Sequence, residues 1–86
     1  MEFEDLKKAN AEIASLRARG FHRDAIKLVK ATVPKLADKT DCVALLAQGL
    51  YAAQDLKDGA EAHTFASEIL AVDPGFPSAR KALGLS

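Results

Sequence analysis

The chain has 86 residues, of which 49% are apolar, and its 12 lysines and arginines balance its 12 acidic residues, so the formal net charge is zero. A neutral chain offers no excess of positive charge to nucleic acid or an anionic membrane, and no apolar run is long enough to cross a bilayer. Its single cysteine cannot form an internal disulfide, so we expect one domain, residues 1–86, in the reducing cytoplasm without membrane contact.

Alanine and leucine are abundant and β-branched residues are few, which favours helix over strand. The first predicted helix runs from Phe3 to Arg19 and ends at Gly20. A second helix follows, and Pro34 marks its end because proline removes a backbone donor. The residues predicted to share the apolar face of this second helix are Phe21, Ala25, Leu28, Val29 and Thr32.

A polar connector precedes the third predicted helix, which runs from Asp41 to about Ala53. Either Thr40 or Asp41 can cap its first turn, since both carry a side-chain oxygen. The apolar positions that recur at helical spacing along this helix are Val43, Leu46, Ala47 and Leu50.

A fourth helix is predicted to begin after Asp58, which forms a capping-box pattern with Glu61 three residues later. This helix runs to about Val72 and presents Ala62, Phe65, Ala66 and Ile69 on its inward face. The sequence Asp-Pro-Gly at residues 73–75 breaks it. Pro77 is then well placed as the first residue of a short last helix that ends near Gly84.

Short connectors between five helices favour near-antiparallel packing of neighbours. Small side chains let helices approach closely, so we expect helix crossings at four alanines, Ala25, Ala62, Ala66 and Ala79. The sequence therefore predicts an all-α fold in which successive helices pack in pairs.

The segment AHTFASEILAVDP, residues 62–74, followed by GFPSARKALG, resembles the end of one tetratricopeptide repeat and the beginning of the next. The resemblance is strongest from Ala44 to Gly84. It implies a short right-handed solenoid of about two and a half antiparallel helix pairs. A degenerate repeat would cover residues 5–38, a clearer repeat residues 41–74, and a C-terminal capping helix residues 77–84.

In that family the first helices of successive repeats line a concave groove that takes a peptide or a partner helix. Carried onto this chain, the resemblance implies that the groove is lined by Asn10, Ala14, Arg17, Ala47, Tyr51, Gln54 and Lys81. Tyr51 would be the anchor, since tyrosine combines a large apolar area with a polar tip. Some members of the family bind a C-terminal carboxylate with Lys, Arg and Asn side chains, of which Asn10, Arg17 and Lys81 offer a partial set.

The resemblance implies an adaptor or chaperone-type module that binds another protein or peptide without catalysis. A homodimer is the alternative, because two and a half repeats leave apolar end faces, for which Phe3, Leu6 and Leu85 are the candidates. Nucleic-acid binding is the weaker alternative and would use a basic stripe of the N-terminal half, in which Arg19, Arg23, Lys27 and Lys30 recur three or four residues apart, although acidic residues are interspersed.

The sequence offers little for catalysis or metal binding. His22 and His63 lie in separate predicted helices, and neither has another His or Cys at a metal-ligand spacing. We expect His22 to pack at a helix corner and Cys42 to be a small buried side chain. No glycine-rich phosphate loop or nucleophile motif is present. We therefore expect no enzyme activity, no cofactor and no metal ion.

Overall fold

The computed structural model describes residues 3–85 of the chain, with the side chain of Phe3 outside the description. Within these residues every regular element is helical and no strand forms, so the all-α prediction is confirmed. The elements are α1 (Phe3–Ala18), α2 (His22–Thr32), a 3₁₀ turn (Val33–Lys35), α3 (Lys39–Asp55), α4 (Gly59–Val72) and α5 (Pro77–Ala82). The prediction of Phe3 as an end-face side chain lies outside the described residues.

The breaks between the helices fall where glycine and proline predicted them. Gly20 has a φ of +86° just past α1, a conformation that glycine adopts without strain. Pro34 lies in the 3₁₀ turn that follows α2, and Pro77 is the first residue of α5. Helix α4 ends at Val72, directly before Asp73, as predicted.

Helices α1, α3 and α5 end in the same way. Past each end, one residue adopts a positive φ: Gly20 after α1, Lys57 (+58°) after α3 and Gly84 (+75°) after α5. In each case that residue's N–H bonds the carbonyl three residues back, and the next N–H bonds the carbonyl five residues before it, at 2.7–3.1 Å. This is a Schellman motif. The even-numbered helices α2 and α4 are instead followed within two residues by proline.

The third helix begins two residues earlier than predicted, and its cap is Asp38. The prediction of Thr40 or Asp41 as the cap was wrong. Asp38 is extended (φ −89°, ψ 123°), so its carboxylate reaches over the first turn and accepts from the backbone N–H of Thr40 at 2.7 Å and of Asp41 at 3.4 Å.

The predicted cap of α4 is confirmed in its main part. The Asp58 carboxylate accepts from the Glu61 backbone N–H at 3.1 Å. A capping box has a second bond, from the N–H of the capping residue to the Glu side chain, and this bond does not form. The Asp58 N–H donates instead to the carbonyl of Ala53, and the Glu61 side chain pairs with Lys30 on α2.

The core is built around α3. Each helix packs against the next along the chain, and α1 also contacts α3, so α3 has neighbours on several sides. All four alanines predicted at helix crossings are buried, with at most 8% of their surface exposed. The largest fully buried side chains are Phe65, Ile13, Leu45, Leu50, Ile69 and Val29.

Phe21 does not share the apolar face of α2, so that prediction was wrong. It is half exposed because it occupies the position just before the helix, and the Arg19 guanidinium lies 5.4 Å from its ring. Ile26, which had not been assigned to the core, is buried on α2. Thr32 is buried as predicted, and its hydroxyl donates to the Leu28 carbonyl at 2.7 Å.

Candidate functional site

Gln48 on α3 joins two residues of α1 that were predicted to lie on the binding surface. Its Nε2 donates to the Asn10 Oδ1 at 2.6 Å and to the Asn10 carbonyl at 3.3 Å. Its Oε1 accepts from the Arg17 Nη1 at 3.0 Å. Asn10 and Arg17 are seven residues apart, two helical turns, and therefore share a face of α1. A single amide, with a donor at one end and an acceptor at the other, spans that face.

Arg17 extends from α1 over the end of α3. Its guanidinium carbon lies 5.4 Å from the centre of the Tyr51 ring, within the range of a cation–π contact. The Arg17 Nη2 also lies 3.9 Å from the Asp55 Oδ2, which is an ion-pair distance. Arg17 is thus held by a neutral amide, an aromatic ring and a carboxylate, all three from α3.

Tyr51 connects α3 to α5. Its hydroxyl lies 3.1 Å from the Ser78 Oγ, so the two groups share a hydrogen bond. We call the resulting row of side chains the polar seam; it consists of Asn10, Arg17, Gln48, Tyr51, Asp55 and Ser78. The polar seam crosses α1, α3 and α5 without involving α4.

The other predicted site residues fall into two groups. Gln54 and Lys81 are both exposed and line one depression of about 450 Å³ together with Ser78 of the polar seam. Ala14 is exposed on α1, between Asn10 and Arg17 in sequence. Ala47 is only 8% exposed and belongs to the core, because α3 has neighbours on several sides.

Sequence reasoning missed Gln48, Asp55 and Ser78. The one available signal for Gln48 was that it lies three residues before Tyr51, within one helical turn of a predicted anchor. Asp55 has the same signal, since it lies four residues after Tyr51, whereas Ser78 has none, because its partner lies 27 residues away along the chain.

Two buried nitrogen atoms of this region have no hydrogen-bond partner, Arg17 Nε and His22 Nδ1. His22 is the first residue of α2 and lies at the corner between α1 and α2, as expected for a packed histidine. Its Nδ1 lies 3.7 Å from the same Asp55 oxygen that faces Arg17. Asp55 therefore stands between two cation-forming side chains, while half of its own side chain remains exposed.

The remaining candidates from the sequence lie away from the polar seam. His63 is exposed on α4. Cys42 is partly buried, and its Sγ is 3.9 Å from the Val33 carbonyl. Among residues 3–85, no three His, Cys, Asp or Glu side chains come close enough to hold a metal ion. In the same residues no helix combines the length and apolarity that crossing a membrane would require.

The part of the basic stripe that lies on α2 is partly neutralised by Asp58 and Glu61. Arg23 Nη1 lies 4.0 Å from the Asp58 carboxylate, and Lys30 pairs with the Glu61 carboxylate. The Lys30 ammonium also lies 5.8 Å from the centre of the Phe65 ring. These partners reduce the positive charge that α2 could present to a phosphate backbone.

Comparisons of the chain with models of known protein families, with characterised proteins and with solved structures find no match.

Proposed function

We propose that the chain is a non-catalytic protein–protein interaction module that binds a peptide or a partner helix on the surface formed by α1, α3 and α5. The observation that carries the proposal is the polar seam, which links these three alternate helices through direct side-chain contacts. In a tetratricopeptide-like array, α1, α3 and α5 would be the first helices of successive pairs, which are the helices that line the groove.

Two further features support a repeated architecture. The three helices α1, α3 and α5 share the Schellman ending, whereas proline follows α2 and α4. The described residues extend 35 × 28 × 16 Å. The shortest dimension accommodates two layers of helices whose axes lie about 8–10 Å apart, as in stacked helix pairs.

The surface has the composition expected of a protein interface of modest affinity. Tyr51 supplies a partly buried aromatic anchor, and polar side chains that already form hydrogen bonds surround it. Tyrosine and arginine are the residue types that contribute most often to the energy of such interfaces. Next to the anchor, the depression lined by Gln54 and Lys81 offers space for a side chain of the partner.

The test is a selection of binding peptides from a random displayed library, followed by calorimetric titration of the selected peptides. We expect Tyr51→Ala to weaken binding by about 30-fold or more, the effect of losing an interface anchor of about 2 kcal/mol. His63→Ala, an exposed change on α4, is the matched control and should leave the affinity unchanged. Equal affinity of the wild type and Tyr51→Ala for every selected peptide would contradict the proposal.

A homodimer is the second candidate, and one observation favours it. Leu85, a predicted end-face residue, is 46% exposed and lines a depression of about 580 Å³ that also includes Pro77 and Gly84. Leu6, the other described end-face candidate, is partly buried against the core. Light scattering at increasing protein concentration tests this candidate. A mass that stays at one chain throughout would exclude it, whereas a dimer that Leu85→Ser dissociates would support it.

A further inference from the structure

The carboxylate of Asp55 has two competing partners from different helices. Its Oδ2 lies 3.9 Å from the Arg17 Nη2 of α1 and 3.7 Å from the His22 Nδ1 of α2. Both distances are typical of ion pairs and too long for hydrogen bonds. At the same place, Arg17 Nε and His22 Nδ1 are buried without any hydrogen-bond partner. The Asp55 carboxylate thus lies near one nitrogen of each side chain without forming a hydrogen bond to either.

The charge of His22 determines whether Asp55 pairs with Arg17 alone or with both Arg17 and His22. A neutral imidazole leaves Asp55 to serve as the counterion of Arg17. A protonated imidazole has an N–H at both nitrogens and adds a second positive charge beside the same oxygen. Because half of the Asp55 side chain is exposed, its carboxylate has room to turn toward Nδ1. Histidine is the side chain that ordinarily changes charge between about pH 5 and 8.

The charged groups around His22 come from α1, α2 and α3. From α1 the facing group is Arg17, and from α3 it is Asp55. On α2 itself the adjacent charged residues are Arg23 and Asp24, both exposed, and Arg23 is directed to Asp58 ahead of α4 at 4.0 Å. A proton on His22 therefore acts mainly on the interaction between Asp55 and Arg17.

We infer that His22 is a proton-sensing positioning residue of the polar seam: when protonated, it competes with Arg17 for Asp55 and so changes how the guanidinium lies on Tyr51. The inference rests on the proposed function, since it gives the binding surface of α1, α3 and α5 a regulator. Among the described residues, His22 forms no hydrogen bond or ion pair with Tyr51 or Gln48. Its effect passes through Asp55 and Arg17, and then reaches the ring at 5.4 Å.

The chain carries its own reporter for this effect. Tyr51 is its only tyrosine and the chain has no tryptophan, so tyrosine fluorescence reports on the polar seam alone. It has two histidines, His22 and His63, whose ring signals can be followed separately by nuclear magnetic resonance. His63 is exposed on α4 and provides an internal reference within the same sample.

The experiment is a pH titration of the purified full chain from pH 5 to 8, with circular dichroism recorded at each step. We expect the Tyr51 emission and ring resonances to shift together with the ring resonances of His22. The shift should disappear in His22→Gln and in Asp55→Asn, which keeps the shape of the side chain without its charge. It should persist unchanged in His63→Gln.

Three outcomes would overturn the inference: no shift of the Tyr51 signals across this pH range, a shift that persists in His22→Gln, or a shift that appears only with loss of helical signal. These outcomes are distinct from failure of the proposed function, because the titration needs no partner. If selected peptides ignore Tyr51 while the shift depends on His22, the proton sensor stands and the binding surface lies elsewhere.

Discussion

Two sides of α3 are packed on different physical principles. Toward α4, Gly49 lies against the Phe65 ring so closely that a Cβ at residue 49 would come within 2.6 Å of a ring carbon. Toward α1 and α5, Gln48 and Tyr51 form side-chain hydrogen bonds of 2.6–3.1 Å. The first contact excludes water and depends on shape. The second is partly open to solvent and depends on donors and acceptors.

The two sides of α3 differ in how much their contacts contribute to stability. Burying a phenylalanine side chain contributes about 1.5–3 kcal/mol, whereas a hydrogen bond that competes with water contributes about 0.5–1.5 kcal/mol. The contact between α3 and α4 should therefore dominate the free energy of unfolding. The polar seam can vary in sequence at little cost to the fold, which is what a surface adapted to a particular partner requires.

The largest expected effect comes from removing the Phe65 ring, which is 2% exposed. We expect Phe65→Ala to lower the free energy of unfolding by about 3–5 kcal/mol, because lost burial and a residual cavity add together. A domain of this size has a total stability of only about 4–13 kcal/mol. Urea denaturation followed by circular dichroism measures the loss. Phe65→Leu, which retains most of the apolar contact, is the control and should lose much less.

The close approach at Gly49 gives a second test of the packing between α3 and α4. Alanine in place of a helical glycine normally gains about 1 kcal/mol, but overpacking a rigid ring costs about 1–3 kcal/mol. We expect Gly49→Ala to be destabilising by up to about 2 kcal/mol, the difference between those two terms. In the Phe65→Leu background the same change should become neutral or stabilising. Equal effects of Gly49→Ala in both backgrounds would show that the ring is not the obstacle.

Local signals in the sequence predicted most of the helix boundaries. The helix ends depend on local backbone restrictions at Gly20, Pro34 and Pro77, and the start of α4 depends on an N–H only three residues from Asp58. These boundaries can therefore be predicted without knowing any distant contact. The buried side of α3 was harder to predict. Leu45 is fully buried although it lies off the predicted apolar face, because α3 has neighbours on several sides.

The candidate site was predictable only in part for the same reason. The seven-residue spacing of Asn10 and Arg17 identifies one face of α1, and in the structure both side chains contact Gln48 of α3. The connecting side chains Gln48 and Ser78 were not identified, since they are defined by partners that lie 27–38 residues away.

A substitution in the turn between α3 and α4 should raise the stability of the fold. Lys57 adopts a φ of 58°, which costs a residue with a Cβ about 1–2 kcal/mol. We expect Lys57→Gly to raise the free energy of unfolding by about 0.5–1 kcal/mol after allowing for the greater freedom of glycine in the unfolded chain. Lys57→Ala keeps the Cβ and should bring no such gain, so thermal melts that rank the two variants equally would contradict this explanation.

The polar seam provides the last test of how the two sides of α3 differ. Gln48→Ala removes the bonds to Asn10 and Arg17, yet both partners can turn to water, so we expect a loss of only about 0.5–1.5 kcal/mol in urea denaturation. Gln54→Ala, on the same helix with an exposed side chain, is the control and should leave stability unchanged. A loss from Gln48→Ala as large as that from Phe65→Ala would show that the polar seam contributes as much to stability as the packing between α3 and α4.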